Sequence, residues 1–309
     1  MGAKYYLSTD VGAPVIGYST PGSLIAVLKA CLVDGYGSKA PAGWTMPFTG
    51  TNQAVFRMGG GGLRYLYIDD SPTGGYAAPV RAYDTMSGLT TGTGMFPTAA
   101  QVTDANARWW RGSGTSSTKW VVVATESFFY AVFGGTSAIM YFFGDANAVD
   151  TLDDYCTILS TNGSSATIPS SSGGIGTTQQ NINSYSPGAA AARSYDQASV
   201  SITSVGFHVD YVKNGGSTTL GNGGLVYPNT PDGEMYMSEV FVHESNPSPY
   251  IRAKLPSIYS PCNANSNGGD FADGNIIIPP SGQMAGMKFL VVRPVVSSSG
   301  CALFDVTGA

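Results

Sequence analysis

KWVVVATESFFYAVFG at 119–134 and AIMYFFGD at 138–145 are the most apolar pair of segments in this 309-residue chain. Their near-continuous hydrophobicity, with Gly134, Gly135, Thr136 and Ser137 between them, reads as central strands buried on both faces. The pair is expected to form the core of a first β-rich domain.

On the N-terminal side, AVFRM at 54–58 and LRYLYIDD at 63–70 alternate in character around GGGG at 59–62, the pattern of a hairpin with a loose glycine loop. VRAYDTM at 80–86 follows the turn SPTGGYAAP. Further along, ASVSITSVGFHVDYV (198–212), LVYPN (225–229), EMYMSEVFVHES (234–245), YIRAKLP (250–256), NIIIPP (275–280) and MKFLVVRPVV (287–296) read as strands separated by Gly, Asn and Pro turns. No fixed period repeats, which argues against a propeller or solenoid. The fold class predicted is mainly β: antiparallel β-sandwich or barrel-like sheets with one short N-terminal helix.

That helix lies in PGSLIAVLKACLVDGYGSKAPAGW at 21–44. Leu24, Val27, Leu28, Cys31 and Leu32 recur at the spacing of one helical face, Ser23 is placed to cap the start, and Gly35 to stop the end. Ile25, Ala26, Ala30 and Val33 make the remaining sides apolar, so the helix is expected to be packed on several sides. The apolar run is far shorter than the roughly 20 residues that cross a bilayer, and MGAKYYLSTD lacks the apolar stretch of a signal peptide, so no membrane partner is expected. A modest second helical signal, with Thr98 as cap, occupies PTAAQVTDANARWW at 97–110.

STNGSSATIPSSSGGIGTTQQ at 160–180 is low-complexity and nearly devoid of large apolar residues, the composition of a surface loop or linker. The predicted organisation is therefore an arm and helix over 1–39, a β-rich domain over 40–160, a low-complexity linker over 161–194 and a second β-rich domain over 195–309.

Only 11% of residues are charged, against about 25% in ordinary soluble domains, while glycine alone contributes 41. Little like-charge repulsion opposes contact between such neutral surfaces, so a homo-oligomer is expected. The net charge of −5 and the scatter of 15 basic residues argue against reading a nucleic-acid backbone. Cys31, Cys156, Cys262 and Cys301 form no CxxC pair and are expected to be reduced, Cys262 with Cys301 being the one pairing considered.

No reactive constellation emerges, and the expectation is a protein that is not an enzyme and has no catalytic residue, metal site or cofactor. His208 and His243 sit in strand-like runs without ligands at metal-site spacing. Asp69-Asp70 and Asp153-Asp154 raise the acid pair of a glycosidase, but a turn role explains them more simply. The glycine clusters at 59–62, 173–176 and 221–224 match no phosphate-cradling pattern and read as turns. Trp109-Trp110, flanked by Arg108 and Arg111, reads as a core anchor or a subunit contact.

GSLIAVLKACLVDGYGSK (22–39), APAGWTMPFTGTNQAVFR (40–57), RYLYIDDS (64–71), the block from TMSG to TGTGMFPT (85–98), YFFGD (141–145) and FDVTG (304–308) carry a family likeness. In these stretches, spread over most of its length, the chain resembles a family of virion structural proteins from tailed bacteriophages. Similar proteins often carry an extra β-rich segment between the GYGSK and APAGW stretches, which here are contiguous. The resemblance implies a component of the virion, in the tail, neck or baseplate ahead of capsid decoration, with sister chains and other phage virion proteins as partners. Tyr5, Tyr6, Trp109 and Trp110 are the expected assembly contacts, with the segment STDVGAPVIGYSTPG as a docking arm. Two other functions stay open: a module binding a host-surface glycan or receptor through Tyr185, Tyr195, Tyr227 or Trp109, and a cell-wall hydrolase that would need Asp69, Asp70, Asp153, Asp154, Glu126 or Glu239 to converge.

Overall fold

The computed structural model describes residues 2–73, 78–99, 108–109, 111, 119–133, 139–150, 153, 155–160, 190–193, 200–201, 205–209, 237–244, 250–261, 272–292 and 302–309. The chain opens with strand β1 (Lys4–Leu7) and helix α1 (Ser23–Lys29), followed by β2 (Thr45–Gly50), β3 (Gln53–Arg57), β4 (Tyr65–Asp69), β5 (Ala78–Tyr83), β6 (Thr85–Met86), β7 (Gly92–Thr93) and β8 (Arg108–Trp109). Next come β9 (Trp120–Ala124), β10 (Phe128–Phe133), β11 (Ile139–Asp145), β12 (Asn147–Ala148), β13 (Thr157–Ser160), β14 (Ala190–Arg193) and β15 (Val200–Ser201). The last group is β16 (Val205–Val209), β17 (Met237–Glu244), β18 (Tyr250–Pro261), β19 (Ile276–Ile277), β20 (Phe289–Val292) and β21 (Ala302–Asp305).

The protein is mainly β, its sheets are antiparallel, and the single short helix among the described residues lies near the N-terminus. Three sheets carry the fold. The first has the order β1-β9-β10-β11-β13-β14-β15, the second β16-β17-β18-β21-β20-β19 with β12 on β18, and the third β2-β3-β4-β5-β8. The first is the middle layer. Its side chains alternate between two cores, as period-two geometry requires. Trp120, Val122, Ala124, Phe129, Ala131, Phe133, Tyr141 and Phe143 enter one, shared with α1 and with Ala54, Phe56, Leu66, Ile68, Val80 and Ala82 of the third sheet. Val121, Val123, Phe128, Tyr130, Val132, Met140 and Phe142 enter the other, shared with Val242, Ala253, Leu290 and Phe304 of the second sheet.

Trp120–Ala124, Phe128–Phe133 and Met140–Phe143 are therefore buried on both faces, as their composition predicts, but the first apolar segment folds back on itself. Thr125, Glu126 and Ser127 turn the chain, giving β9 and β10 in place of one long strand. The middle sheet draws β1, then β9, β10, β11 and β13, then β14, then β15 from the four predicted segments in turn, so its layer boundaries cross the segment boundaries. The linker text at 160–180 beyond Ser160, and LVYPN at 225–229, lie outside the described residues.

The helix differs from its prediction in detail. Leu24, Val27, Leu28, Cys31 and Leu32 form the buried face, but Ala26 is exposed, so one side of the helix meets solvent. Gly22 occupies the cap position, in the left-handed region at φ 81°, and Ser23 lies inside the first turn, its Oγ donating to the carbonyl of Thr20 at 2.7 Å. The last turn widens to a π-turn over Ala30–Asp34, closed by the Gly35 N–H on the Ala30 carbonyl at 2.9 Å. Gly35 ends the helix as expected. The N–H groups of Ala42 and Trp44 then take up the terminal carbonyls of Cys31 and Leu32, both at 3.0 Å, satisfying acceptors that a helix end leaves open. At 97–110, Arg108 and Trp109 pair with Ala78 and Pro79 as strand rather than helix, and 100–107 lie outside the described residues.

Candidate functional site

Among the described residues five charged side chains, Asp70, Arg111, Asp153, Glu244 and Arg252, are buried, and they form two ionic networks. Asp70, at the end of β4, and Arg111 are both completely buried and form an ion pair. Asp70 Oδ2 also accepts the N–H of Leu24 at 2.9 Å, so a carboxylate 46 residues away caps the first turn of α1. Burial pushes its carboxyl up to about 6, against the opposing pull of Arg111. A second network joins the sheets. Arg252 on β18 donates from Nε to Asp153 Oδ2 at 2.7 Å, from Nη2 to Asp153 Oδ1 at 3.2 Å and from Nη1 to Glu244 at 3.2 Å, and its Nη1 also meets the carbonyl of Arg193. Arg193 on β14 pairs with Asp84, and Asp84 lies 3.4 Å from Arg64.

Of the candidate site residues, Tyr6, Trp109, Asp70 and Asp153 fall into this interior. Trp109 is fully buried, stacked on Tyr141 at 5.2 Å between ring centroids and edge-on to Phe129, with its Nε1 donating to the Ser160 carbonyl at 2.8 Å. Tyr6 is fully buried and donates to the Ala40 carbonyl at 2.8 Å. These two rings are anchors of the chain's own core, a correction to their expected role as assembly contacts. Tyr5 is half-buried, its ring 4.1 Å from Lys39 Nζ. The arm is likewise no loose tail: β1 pairs with β9, and Ile16 is buried. Trp110, Tyr185, Tyr195, Tyr227, Asp154, Cys262 and Cys301 lie outside the described residues.

The carboxylates of the hydrolase reading are held in separate arrangements. Asp69 Oδ1 accepts the Ser71 N–H at 3.0 Å, the turn role expected of it. Asp70 and Asp153 have their own arginines, as above, and Glu239 pairs with Lys254 at 2.7 Å. Glu126 is exposed beside the 59–62 loop. That loop is tight rather than loose: the Gly59 and Gly60 N–H groups both donate to the Glu126 carbonyl, and the Gly62 N–H to Asp145 at 2.6 Å. A Cβ at Gly61, where φ is +63°, would collide with the Asp145 carboxylate. His208 stands opposite Phe241, and His243 opposite Gly206, in the β16–β17 register. No group of three or more metal-ligating residues occurs among the described residues. Cys31 and Cys156 are free and buried.

Two surfaces remain. The first is the outer face of the third sheet. With Ala54, Phe56, Leu66, Ile68, Val80 and Ala82 turned to the core, the alternate residues form two rows across β3, β4 and β5: Arg57–Tyr65–Tyr83 and Val55–Tyr67–Arg81. Met86 of the β6–β7 hairpin, with Leu89 and Met95, packs over Val55 and Tyr83 and leaves Tyr65, Tyr67, Arg57 and Arg81 part-exposed. The Arg57 guanidinium lies 5.5 Å from the Tyr65 ring centroid. The buried Nε of Arg57 and one buried Nη of Arg81 meet no acceptor among the described residues. Burial raises the Tyr67 hydroxyl, Asp69 adding to the effect and Arg81 opposing it.

The second surface is the turn after β1. The Ala13 N–H donates to the Asp10 carbonyl at 3.1 Å, Asp10 Oδ2 accepts the Leu7 N–H and the Tyr36 hydroxyl at 2.9 Å each, and Trp120 Nε1 donates to the Pro14 carbonyl at 2.9 Å. This braced segment presents Val11 at 89% exposure and Val15 at 69%. Only its position in the predicted arm marked it in the sequence, and nothing there singled out Arg57 or Arg81, because alternation in 54–70 identifies a strand without saying what lies over its outer face.

No protein-family model matches the chain, and a search of curated proteins finds no match either. No helix among the described residues is long and apolar enough to cross a membrane.

Proposed function

We propose that this chain is a non-enzymatic structural subunit of a tailed-bacteriophage virion, placed in the tail, neck or baseplate, with decoration of the capsid as the other location. The sequence likeness points to the particle, and the neutral, hydroxyl-rich surface favours contacts with sister chains. The observation that carries the reading is the turn at 10–15. Hydrogen bonds from Leu7 on β1, the Tyr36 hydroxyl and the Trp120 indole hold it in place, yet its two valines stay largely exposed. An apolar knob held in place before binding loses little entropy on docking, which is what a subunit contact needs.

The test is the mass of the purified protein by sedimentation across a range of concentrations, beside its copy number per particle. A closed oligomer that weakens in Val11→Asp/Val15→Asp, with unchanged unfolding, supports the reading. Deleting the arm would be a poorer experiment, since Tyr6 and Ile16 belong to the core. A monomer at every concentration that is absent from particles overturns it.

A further inference from the structure

The turn at 10–15 does not stand alone. Beside it, the Lys39 N–H donates to the Tyr36 carbonyl at 2.8 Å and the Tyr36 N–H to the Lys39 carbonyl at 3.1 Å, which closes Gly37 and Ser38 into a two-residue turn. Gly37, at φ +53°, lies so near the first turn that a Cβ there would collide with the Val11 carbonyl. The two turns therefore meet backbone to backbone, with Gly37 and Ser38 exposed next to Val11.

Polar bonds hold the pair together, since Val11 and Val15 are largely exposed. Asp10 Oδ2 accepts the Leu7 N–H and the Tyr36 hydroxyl, and Lys39 Nζ stands 3.6 Å from it. One carboxylate thus joins β1, the first turn and the second. Tyr36 is itself fixed, its ring 6.0 Å from that of Tyr6 and edge-on to Trp120 at 6.2 Å, and burial raises its hydroxyl above the ordinary value, so it stays a donor. Lys39 Nζ also donates to the Tyr5 carbonyl at 3.1 Å and lies over the Tyr5 ring. The exposed patch is therefore two valines beside a glycine–serine turn, with its anion and its cation already paired. A charged ligand would have to break that pair. A second neutral surface would not, and this chain, with 11% charged residues, carries such a surface.

We infer that the two turns form one docking surface for a second copy of this chain, with Ser38 in the contact and Asp10 as the positioning residue, a role that rests on the subunit reading of Val11 and Val15. The experiment is sedimentation equilibrium of the full chain, with amide hydrogen exchange over 7–13 followed at a dilution where the chain is monomeric. Ser38→Arg should weaken self-association by roughly tenfold, as an unpaired charge in a contact does, with unfolding unchanged. Asp10→Ala should weaken it by roughly fivefold, because the turn must then be ordered on contact, and should speed exchange over 7–13 alone. Asp10→Asn, which keeps an acceptor oxygen for Leu7 and Tyr36, should recover most of both effects, and Tyr36→Phe, which keeps the ring packing, should fall between. If Val11→Asp/Val15→Asp weakens association and either Ser38→Arg or Asp10→Ala does not, the inference fails while the subunit reading stands. Exchange over 7–13 that is the same in Asp10→Ala as in the wild type removes the positioning role. Association that survives Val11→Asp/Val15→Asp, or a chain that is monomeric throughout, overturns the subunit reading and the inference together.

Discussion

Replacing Arg252 by Met tests whether the buried network holds the layers together. The Arg252 side chain has no exposed surface, and Asp153 and Glu244 have 1% each. The substitution keeps most of the apolar stem while removing three charge-assisted hydrogen bonds to those acids and the donors to the carbonyls of Arg193 and Tyr155. The buried Asp153 carboxylate then loses its arginine, and the buried Glu244 carboxylate loses one of its partners. Breaking a buried pair costs about 3–5 kcal/mol, and with two acids on one base the upper end, about 5 kcal/mol, is the expected loss. That is a large share of the roughly 5–15 kcal/mol by which a native domain is stable. With a urea slope of about 3 kcal/mol/M, the midpoint should fall by roughly 1.5–2 M. Adding Asp153→Asn and Glu244→Gln to the Met variant removes the uncompensated charges and should restore more than half of the loss. A Met variant within 1 kcal/mol of wild type, or a triple variant no better than the single, would refute the view that charge pairing carries this junction.

The Asp70 carboxyl lies at about 6 in the folded chain against an ordinary 3.8. A raised value means that its contribution is complete below about pH 4 and is lost as pH rises through 6, by roughly 3 kcal/mol. Urea midpoints measured from pH 4 to 7 should carry that downward component in wild type and lack it in Asp70→Asn; identical slopes would contradict the assignment. Burial pushes the Cys156 thiol up to about 12, and the Cys31 thiol is also raised, by burial first and Asp10 second. Site-resolved labelling with iodoacetamide at pH 8 should modify neither until denaturant is added, and rapid native labelling of either would show that the core opens there.

What could be read in the sequence was whatever local patterning alone determines. Val121 to Ala124 and Phe128 to Phe133 are apolar at every position, so they require a packed layer on each face, and they have one. Leu24, Val27, Leu28, Cys31 and Leu32 lie on the buried face of the helix for the same reason. Long-range polar partners could not be read. Ser23 has the side chain of a cap, but Asp70, 46 residues away, occupies that role, and Arg252 finds Asp153 across 99 residues. The turn at Thr125–Ser127 was missed because three residues interrupt an otherwise apolar run too briefly to register as punctuation. Trp109 beside its arginines reads as either a core anchor or a subunit contact, and the sequence does not show that Tyr141 and Phe129 close around it.

The networks also explain why so few charges suffice. Apolar faces attract without direction, so three stacked sheets could slide over one another with little change in buried area. The relay from Arg64 and Asp84, at strand ends of the third sheet, through Arg193 on the middle sheet, to Arg252 on the second favours one register, because the Arg252 guanidinium grips Asp153 through two nitrogens and so fits in one orientation. Gly94 shows how closely that junction is built: at φ +65° a Cβ would collide with the Asp84 carboxylate and the Arg193 guanidinium together, so a side chain there would part the layers' link. With the register held from inside, neither the tyrosine–arginine face nor the Val11–Val15 turn has to contribute to folding. The Val11–Val15 turn keeps two largely exposed valines, and these are available to a sister chain.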